Sequence, residues 1–236
     1  MFEWADRYHS ETARMAFLIQ EFGFEPDKTT IDFLSFPYPL TVSLFATTDK
    51  SAWTARIADY YKKEIVILLP LESHTPVPAR HRKAVLMVHQ PDHEIEQVLS
   101  NASACAPNYS GFCALYGSRF LEDTRATTSL LKTIKDLHGY FVDMNDAHAT
   151  LGPSVARSLR LPYRLVDGAV ERHATPAQIE QQLPALIRTA QKIGSALVTA
   201  PPAAAFIDVL GNAAPMLRRN GIKLVYVSDI LNHYDN

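Results

Sequence analysis

The chain has 236 residues, 47% of them hydrophobic, which is enough apolar side chain to bury a core of domain size. Its 23 basic and 25 acidic residues leave a net charge of -2 with no lysine- or arginine-rich run, so the composition excludes the basic footprint of a nucleic-acid-binding protein. The longest apolar stretches are strand-sized, and we expect no membrane span.

Short stretches rich in β-branched or aromatic residues, bounded by turn or polar residues, predict strands along the whole chain. They cover residues 14–19, 41–46, 64–69, 111–116, 139–143, 163–166, 194–199 and 223–228. Apolar residues at spacings of three and four predict helices between most of them. These cover residues 49–62, 92–104, 123–137, 153–159, 176–193 and 203–220. The alternation predicts an α/β fold with a parallel sheet and right-handed crossovers, but periodicity alone does not separate a barrel from an open sheet.

Two blocks stand where an apolar run stops and polar or glycine residues begin, which in a barrel is where chemistry is placed. Residues 68–72 read Leu-Leu-Pro-Leu-Glu, and residues 115–120 read Leu-Tyr-Gly-Ser-Arg-Phe. The blocks resemble those of the divergent polysaccharide deacetylases, which read roughly His-Leu-Pro-Met-Glu-Pro and Asn-His-Met-Gly-Ser-Arg-Phe. Leu68 and Leu115 therefore stand where that family has histidines.

Further matches follow in the same order along the chain. Residues 13–23, 39–45, 139–143 and 196–202 are similar to the family's opening strand, second strand, Gly-Leu-Phe-Phe-Leu-Asp segment and Gly-His-Pro segment. The resemblance implies a distorted (β/α) barrel of seven to eight mainly parallel strands. It also implies that residues 1–236 form a single deacetylase-like domain, with residues 1–12 as an N-terminal extension.

The chemistry of the resembled family does not carry over. The family's aspartate pair becomes Gln20 and Glu21, its histidines become Leu68 and Leu115, and its late histidine becomes Pro201. A divalent ion in the family activates water and polarises the acetamide carbonyl, but leucine and proline offer no lone pair to a metal and glutamine is no base. One remaining carboxylate does not make a site. We therefore expect no metal site and no cofactor.

Polar side chains remain at the predicted strand ends, all on one face. They are Glu21, Glu72, Ser118, Arg119, Asp143, Asn145 and Asp146. We expect four of these residues to bind substrate, together with Gln20, which precedes Glu21. The four are Glu72, Ser118, Arg119 and Asn145. Arg119 suits bidentate contact with a carboxylate, and the alternative is a structural ion pair of Arg119 with Glu72 or Asp143.

Two functions are compatible with these residues. The first is a degenerate, non-catalytic deacetylase-like domain that binds a carbohydrate or a protein partner in the former active-site cleft. The alternative is a metal-independent carbohydrate-active hydrolase that uses acidic cleft residues such as Glu21 and Asp143 on a glycosidic bond. The resemblance implies a periplasmic or extracellular location, although residues 1–14 carry too many charges for a secretory signal and we expect the chain as given to be soluble.

Three further features carry weaker expectations. His89 and His93 have the spacing of a metal motif, but the intervening proline favours a polar loop with Asp92 as the N-cap of the next helix. Cys105 and Cys113 are either a disulfide in an oxidising compartment or two apolar core residues. The basic, proline-punctuated loop 76–83 either lines a groove for anionic glycans or is simply exposed.

Overall fold

The computed structural model describes residues 12–24, 26–46, 50–144, 146 and 149–232. The strands in these residues are β1 (Ala13–Phe22), β2 (Thr41–Leu44), β3 (Glu64–Leu71), β4 (Gly111–Tyr116), β5 (Tyr140–Asp143), β6 (Tyr163–Leu165), β7 (Gly168–Ala169), β8 (Ser195–Ala200) and β9 (Ile222–Val225). The α-helices are α1 (Lys28–Leu34), α2 (Ser51–Tyr60), α3 (Asp92–Ala104), α4 (Thr124–Asp136), α5 (Gly152–Leu159), α6 (Pro176–Ile193) and α7 (Ala204–Arg219). None of the helices so described is long and apolar enough to cross a membrane.

The named strands pair in parallel throughout, in the order β6-β5-β4-β3-β2-β1-β8-β7, and β9 pairs with the first half of β1. The sheet curls into a distorted β/α barrel, which confirms the predicted fold class. Because parallel strands all end on the same side, we call the end at their carboxyl termini the mouth and the opposite end the base. Apart from its last residue, the predicted N-terminal extension lies outside the described residues.

Two elements are absent from the sequence prediction. The strand β7 has only two residues, which is too short for an alternation pattern. The helix α1 is short and rich in threonine, so its composition does not favour a helix. It is stabilised by a capping box, in which the Asp27 carboxylate accepts from the Thr30 amide at 2.8 Å and the Thr30 hydroxyl faces the Asp27 amide at 3.4 Å.

Side chains along each central strand alternate between the barrel interior, which we call the lumen, and the surrounding helices. In β3, Val66 and Leu68 belong to the lumen cluster, whereas Ile67 and Leu69 pack in the cluster formed with α3, α4 and α5. All eight residues of β3 are buried, as expected of a strand covered on both faces. The lumen is therefore a packed apolar core.

The base of the barrel is closed around Glu64, the first residue of β3. Its Oε2 accepts hydrogen bonds from the Thr41 hydroxyl at 2.5 Å and from the amides of Val227 at 2.9 Å and Ser228 at 3.3 Å. These bonds draw the chain after β9 into a 3-10 turn, so the predicted strand 223–228 ends at Val225 instead.

A side chain closes the seam between the turn after β6 and β8. The Asp167 amide donates to the Leu197 carbonyl at 2.9 Å, and the Asp167 carboxylate accepts from the Leu197 amide at 2.7 Å. Arg164, nearly buried, donates to the same carboxylate at 2.5 Å. The outer edge of β6 forms a single bridge, between Tyr163 and Asn232, and pairs with no named strand, so Asp167 takes the place of part of a strand ladder.

Candidate functional site

Two backbone irregularities mark the mouth of the barrel. Glu21, near the end of β1, has a φ of 62°, and the register between β1 and β2 shifts between Ile19 and Phe22. Tyr116, the last residue of β4, has a φ of 65°. A non-glycine residue in this left-handed region costs about 1 kcal/mol or more, and such strain concentrates at functional sites. The backbone therefore points to the mouth as the candidate site.

The Glu21 carboxylate joins two distant arginines. Arg80, in the loop after β3, and Arg172, in the loop after β7, both donate to Oε2 of Glu21, and the Arg172 Nη2 atom lies 2.7 Å from it. The Glu21 side chain is 7% exposed, whereas those of Arg80 and Arg172 are 49% and 43% exposed. The carboxylate is thus held inside the fold, and both guanidinium groups still face solvent.

Aromatic rings lie beside these charges. His81 is buried, with its ring centroid 5.9 Å from that of Phe24 and 5.4 Å from that of Phe45. Its Nδ1 lies 3.1 Å from the Tyr116 hydroxyl, and its Nε2 has no hydrogen-bond partner among the described residues. Burial lowers the pKa of His81, and burial together with the nearby Glu21 charge raises the pKa of Tyr116. At neutral pH His81 is therefore uncharged.

The residues below the mouth do not fit the divalent ion that the family resemblance implies. Leu68 and Leu115 are 2% and 7% exposed and pack with Leu18 in the apolar lumen cluster. No three histidine, cysteine, aspartate or glutamate side chains in the described part of the chain are grouped to hold a metal. Glu21, the one carboxylate left at the position of the aspartate pair, is taken up by two arginines.

A second polar group lies beside the mouth, and we call it the side shelf; it comprises Glu72, Ser73, His74, Ser118 and Arg119. The Arg119 Nη1 atom lies 2.8 Å from the Glu72 Oε1, which is the structural ion pair weighed against a ligand contact. The Ser118 hydroxyl lies 2.8 Å from that of Ser73 and accepts from the His74 amide at 3.0 Å. A cavity of about 420 Å³ borders the shelf at Glu72, Ser73 and His74.

Asp143, another of the predicted cleft residues, lies apart from both the Glu21 cluster and the side shelf. It is 1% exposed, and its Oδ2 accepts hydrogen bonds from the hydroxyls of Tyr163 at 2.5 Å and Thr150 at 2.9 Å. Asp146 is exposed on the loop that follows, and desolvation, with the charge of Asp143 second, raises the pKa of its carboxyl. Of this pair only Asp146 faces solvent.

Two predicted binding residues remain. The Gln20 amide nitrogen lies 3.6 Å from the sulfur of Met144, which is a weak contact for an amide donor. Asn145 lies outside the described residues. The predicted cleft residues are therefore divided among the mouth, the side shelf and the buried Asp143, and their assignment to a ligand stays a prediction.

The two histidines of the predicted metal motif lie on either side of the start of α3. His89 and His93 lie at the surface, and no metal-holding group of three forms around them in the part of the chain described. The prediction of Asp92 as N-cap is wrong, because Pro91 has the extended N-cap backbone and Asp92 is the first residue of α3. The Asp92 carboxylate instead pairs with Arg125 at 2.6 Å.

The two cysteines are free thiols, so the disulfide alternative is wrong in this structure. Cys113 belongs to the lumen cluster, whereas Cys105 packs against the cluster under α3 and α4 on the other face of the sheet. The two thiols therefore lie on opposite faces of the sheet. Burial raises the pKa of the Cys113 thiol strongly, as expected of an inert core cysteine.

The sequence did not predict three features of the mouth. These are the burial of His81, the left-handed backbone of Tyr116 and the presence of Arg172. Arg172 lies 151 residues from its partner Glu21 and belongs to no motif. The basic loop 76–83 did carry a signal, and the structure brings its Arg80 to the mouth.

A family model described as divergent polysaccharide deacetylase matches residues 17–231. No curated protein matches the sequence.

Several solved structures are similar in fold. An uncharacterized protein from Agrobacterium tumefaciens C58 is 21% identical with a TM-score of 0.84, over 93% of this chain and 89% of that one. A CE4 family pseudoenzyme from Bacillus anthracis is 11% identical with a TM-score of 0.55, over 95% of this chain and 66% of that one. The catalytic domain of a peptidoglycan N-acetylglucosamine deacetylase from Eubacterium rectale ATCC 33656 is 12% identical with a TM-score of 0.52, over 95% and 94% of the two chains.

Proposed function

The chain belongs to the divergent polysaccharide deacetylase family, and from that premise we propose that it is a non-catalytic member whose barrel mouth binds a carboxylate-bearing saccharide. The observation that carries the proposal is the convergence of Arg80 and Arg172, both about half exposed, on the single carboxylate oxygen of Glu21. This arrangement places two preorganised guanidinium groups at the face where the family places its substrate.

The arginines are suited to a second carboxylate. A guanidinium carries five N–H donors in a planar fork, and one contact to Glu21 leaves most of them available to a ligand. Because Glu21 holds the side chains of Arg80 and Arg172 in position, less side-chain entropy is lost when a ligand binds. Fork-like contacts of this kind are the strong, charge-assisted class of hydrogen bond.

Other mouth residues position the arginines and can contact the rest of a sugar. The Arg80 guanidinium lies over the Phe24 ring, 5.9 Å from its centroid, and this cation–π contact helps to hold it in place. Asp146 is exposed, and a carboxylate accepts hydrogen bonds from sugar hydroxyls. The combination favours an acidic sugar over a small inorganic anion.

Several observations support a non-catalytic member over the metal-independent hydrolase. Asp143 is almost fully buried and already accepts two hydroxyl hydrogen bonds, so it has little access to a glycosidic bond. The Glu21 carboxylate is held in two ion pairs with Arg80 and Arg172, so it is not free to approach a glycosidic bond. The similarity in fold to a protein described as a CE4 family pseudoenzyme agrees with a member that has lost the reaction.

Calorimetric titration tests the binding proposal. We expect short oligogalacturonates to bind and neutral chitin oligomers of the same length to bind at least about tenfold more weakly, because the latter lack the carboxylate. Arg80→Ala and Arg172→Ala should each weaken oligogalacturonate binding by about 1.5 to 3 kcal/mol. Arg188→Ala, at an exposed position of α6, is the matched control and should leave binding unchanged. Equal losses in all three variants, or no binding to the wild type, contradict the proposal.

Elemental analysis tests the loss of metal chemistry. With Leu68 and Leu115 at the ligand positions, protein purified without chelators should carry far less than one transition metal per chain. Restoring one histidine by Leu68→His should not change this result, since a single imidazole leaves the coordination sphere incomplete. About one tightly held metal per wild-type chain would overturn this part of the proposal.

A further inference from the structure

A groove at the base of the barrel, opposite the mouth, carries positive charge that no acidic side chain among the described residues pairs with. The cavity has a volume of about 680 Å³ and lies between the last turn of α7, β9 and Tyr38. Three exposed cations line it, Arg218, Arg219 and Lys223, and no acidic residue is among its lining. None of the three cations forms an ion pair within the described residues.

The groove follows the edge of a strand. It is lined by Gly221 and by the first three residues of β9, 222–224. Neighbouring residues of a strand point to opposite faces, so a cavity that touches all of them runs along the strand edge and not over one face. Among the described residues β9 pairs with β1 alone, so its other edge offers unpaired backbone groups over about 13 Å.

We propose that this base groove binds an acidic, extended polypeptide segment of a partner protein, which adds to the sheet as a strand beside β9. Backbone hydrogen bonds to the free edge hold the segment, as in other cases of strand addition. Its carboxylates pair with Arg218, Arg219 and Lys223, and its alternate apolar side chains contact Tyr38 and Leu224.

Charge decides between a foreign segment and a second copy of this chain. Edge-to-edge pairing of two copies would place both sets of Arg218, Arg219 and Lys223 against each other, and the described lining of the groove has no acidic side chain to neutralise them. A lysine on an open edge is also a common protection against self-pairing. An acidic partner meets neither obstacle.

Fluorescence anisotropy with a labelled peptide of about six residues, alternating valine and glutamate, tests the proposal on the full chain. The acidic peptide should bind with an affinity that falls as salt rises, and its valine and lysine counterpart should not bind. The double variant Arg218→Glu with Arg219→Glu should weaken binding at least tenfold. The pair Arg218→Lys with Arg219→Lys should retain most of it, and Arg80→Ala at the mouth should have no effect.

N-methylated peptides separate strand addition from simple charge attraction. A strand beside β9 uses the N–H groups of alternate residues, so methylation of one alternate set should abolish binding and methylation of the other should not. Equal binding of the two methylated peptides, or no binding of the acidic peptide, overturns the proposal. Sedimentation that shows the wild-type chain as a dimer, dispersed by Arg218→Glu with Arg219→Glu, would assign the edge to a second copy instead.

Discussion

The two ends of the lumen each hold a glutamate, and the two carboxylates differ in their partners. At the base, Glu64 accepts from the Thr41 hydroxyl and from two backbone amides, all of them neutral donors within the fold. At the mouth, Glu21 is held by two arginines that are about half exposed. The base therefore uses a buried carboxylate to fix the path of the chain, whereas the mouth uses one to hold charges toward solvent.

The difference shows how to separate structural from ligand-facing polarity when the metal ligands of a family are missing. A carboxylate whose partners are backbone amides satisfies the hydrogen bonds of those amides and presents no donor or acceptor to a ligand. One whose partners are exposed guanidinium groups organises donors that a solute can reach. Burial of the carboxylate alone does not distinguish them, since both glutamates are less than a tenth exposed.

The largest expected effect is on stability at the base. Glu64→Ala should lower the free energy of unfolding by about 3 kcal/mol, because the Thr41 hydroxyl and the Ser228 amide lose their buried acceptor. Urea unfolding monitored by circular dichroism measures it. Glu21→Ala is the matched variant at the mouth and should cost less than about 1 kcal/mol, since its arginine partners can turn to water. Similar losses in the two variants would break the distinction between base and mouth.

The pH dependence of stability should come in part from the mouth. Burial lowers the pKa of His81 from its ordinary value of 6.5, so at lower pH the unfolded chain takes up a proton that the folded protein resists. The stabilising contribution of neutral His81 to the free energy of unfolding is fully present at pH values above the ordinary pKa of 6.5. It is lost as pH falls below that pKa. Between about pH 7.5 and about pH 5, the wild type should lose more unfolding free energy than His81→Phe. Parallel losses would show that His81 does not titrate between the two states.

The smallest expected effect concerns the side shelf. Arg119 pairs with Glu72, but its side chain is 58% exposed and the ion pair is well solvated. Arg119→Ala should therefore change the free energy of unfolding by no more than about 0.5 kcal/mol. Thermal melting in low and high salt measures this. A loss of several kcal/mol would place the shelf with the base as a structural network.

Much of the fold follows from patterns that are local in sequence. The runs at 64–69 and 111–116 predict β3 and β4 closely because buried strands are read from consecutive residues. The apolar character of Leu68 and Leu115 predicts a lumen without metal ligands for the same reason.

The site depends on distances that no local pattern contains. Glu21 meets Arg80 across 59 residues of chain and Arg172 across 151. Each arginine sits in a loop, and loop conformation follows from contacts made after the barrel has closed. The sequence therefore predicts that the strand ends are polar but not which of them meet.

The contacts of Asp167 determine where the barrel is easiest to open locally. The seam between the turn after β6 and β8 is fastened by a carboxylate and one amide, where the rest of the circumference is held by ladders of backbone hydrogen bonds. Opening there breaks only the two-residue pairing of β7 with β8, the shortest pairing between the named strands, so we expect it to be the least costly way for water to reach the lumen. Local opening of the barrel should therefore begin at this seam, and the Leu197 amide should be among the first backbone amides of the lumen to exchange with solvent.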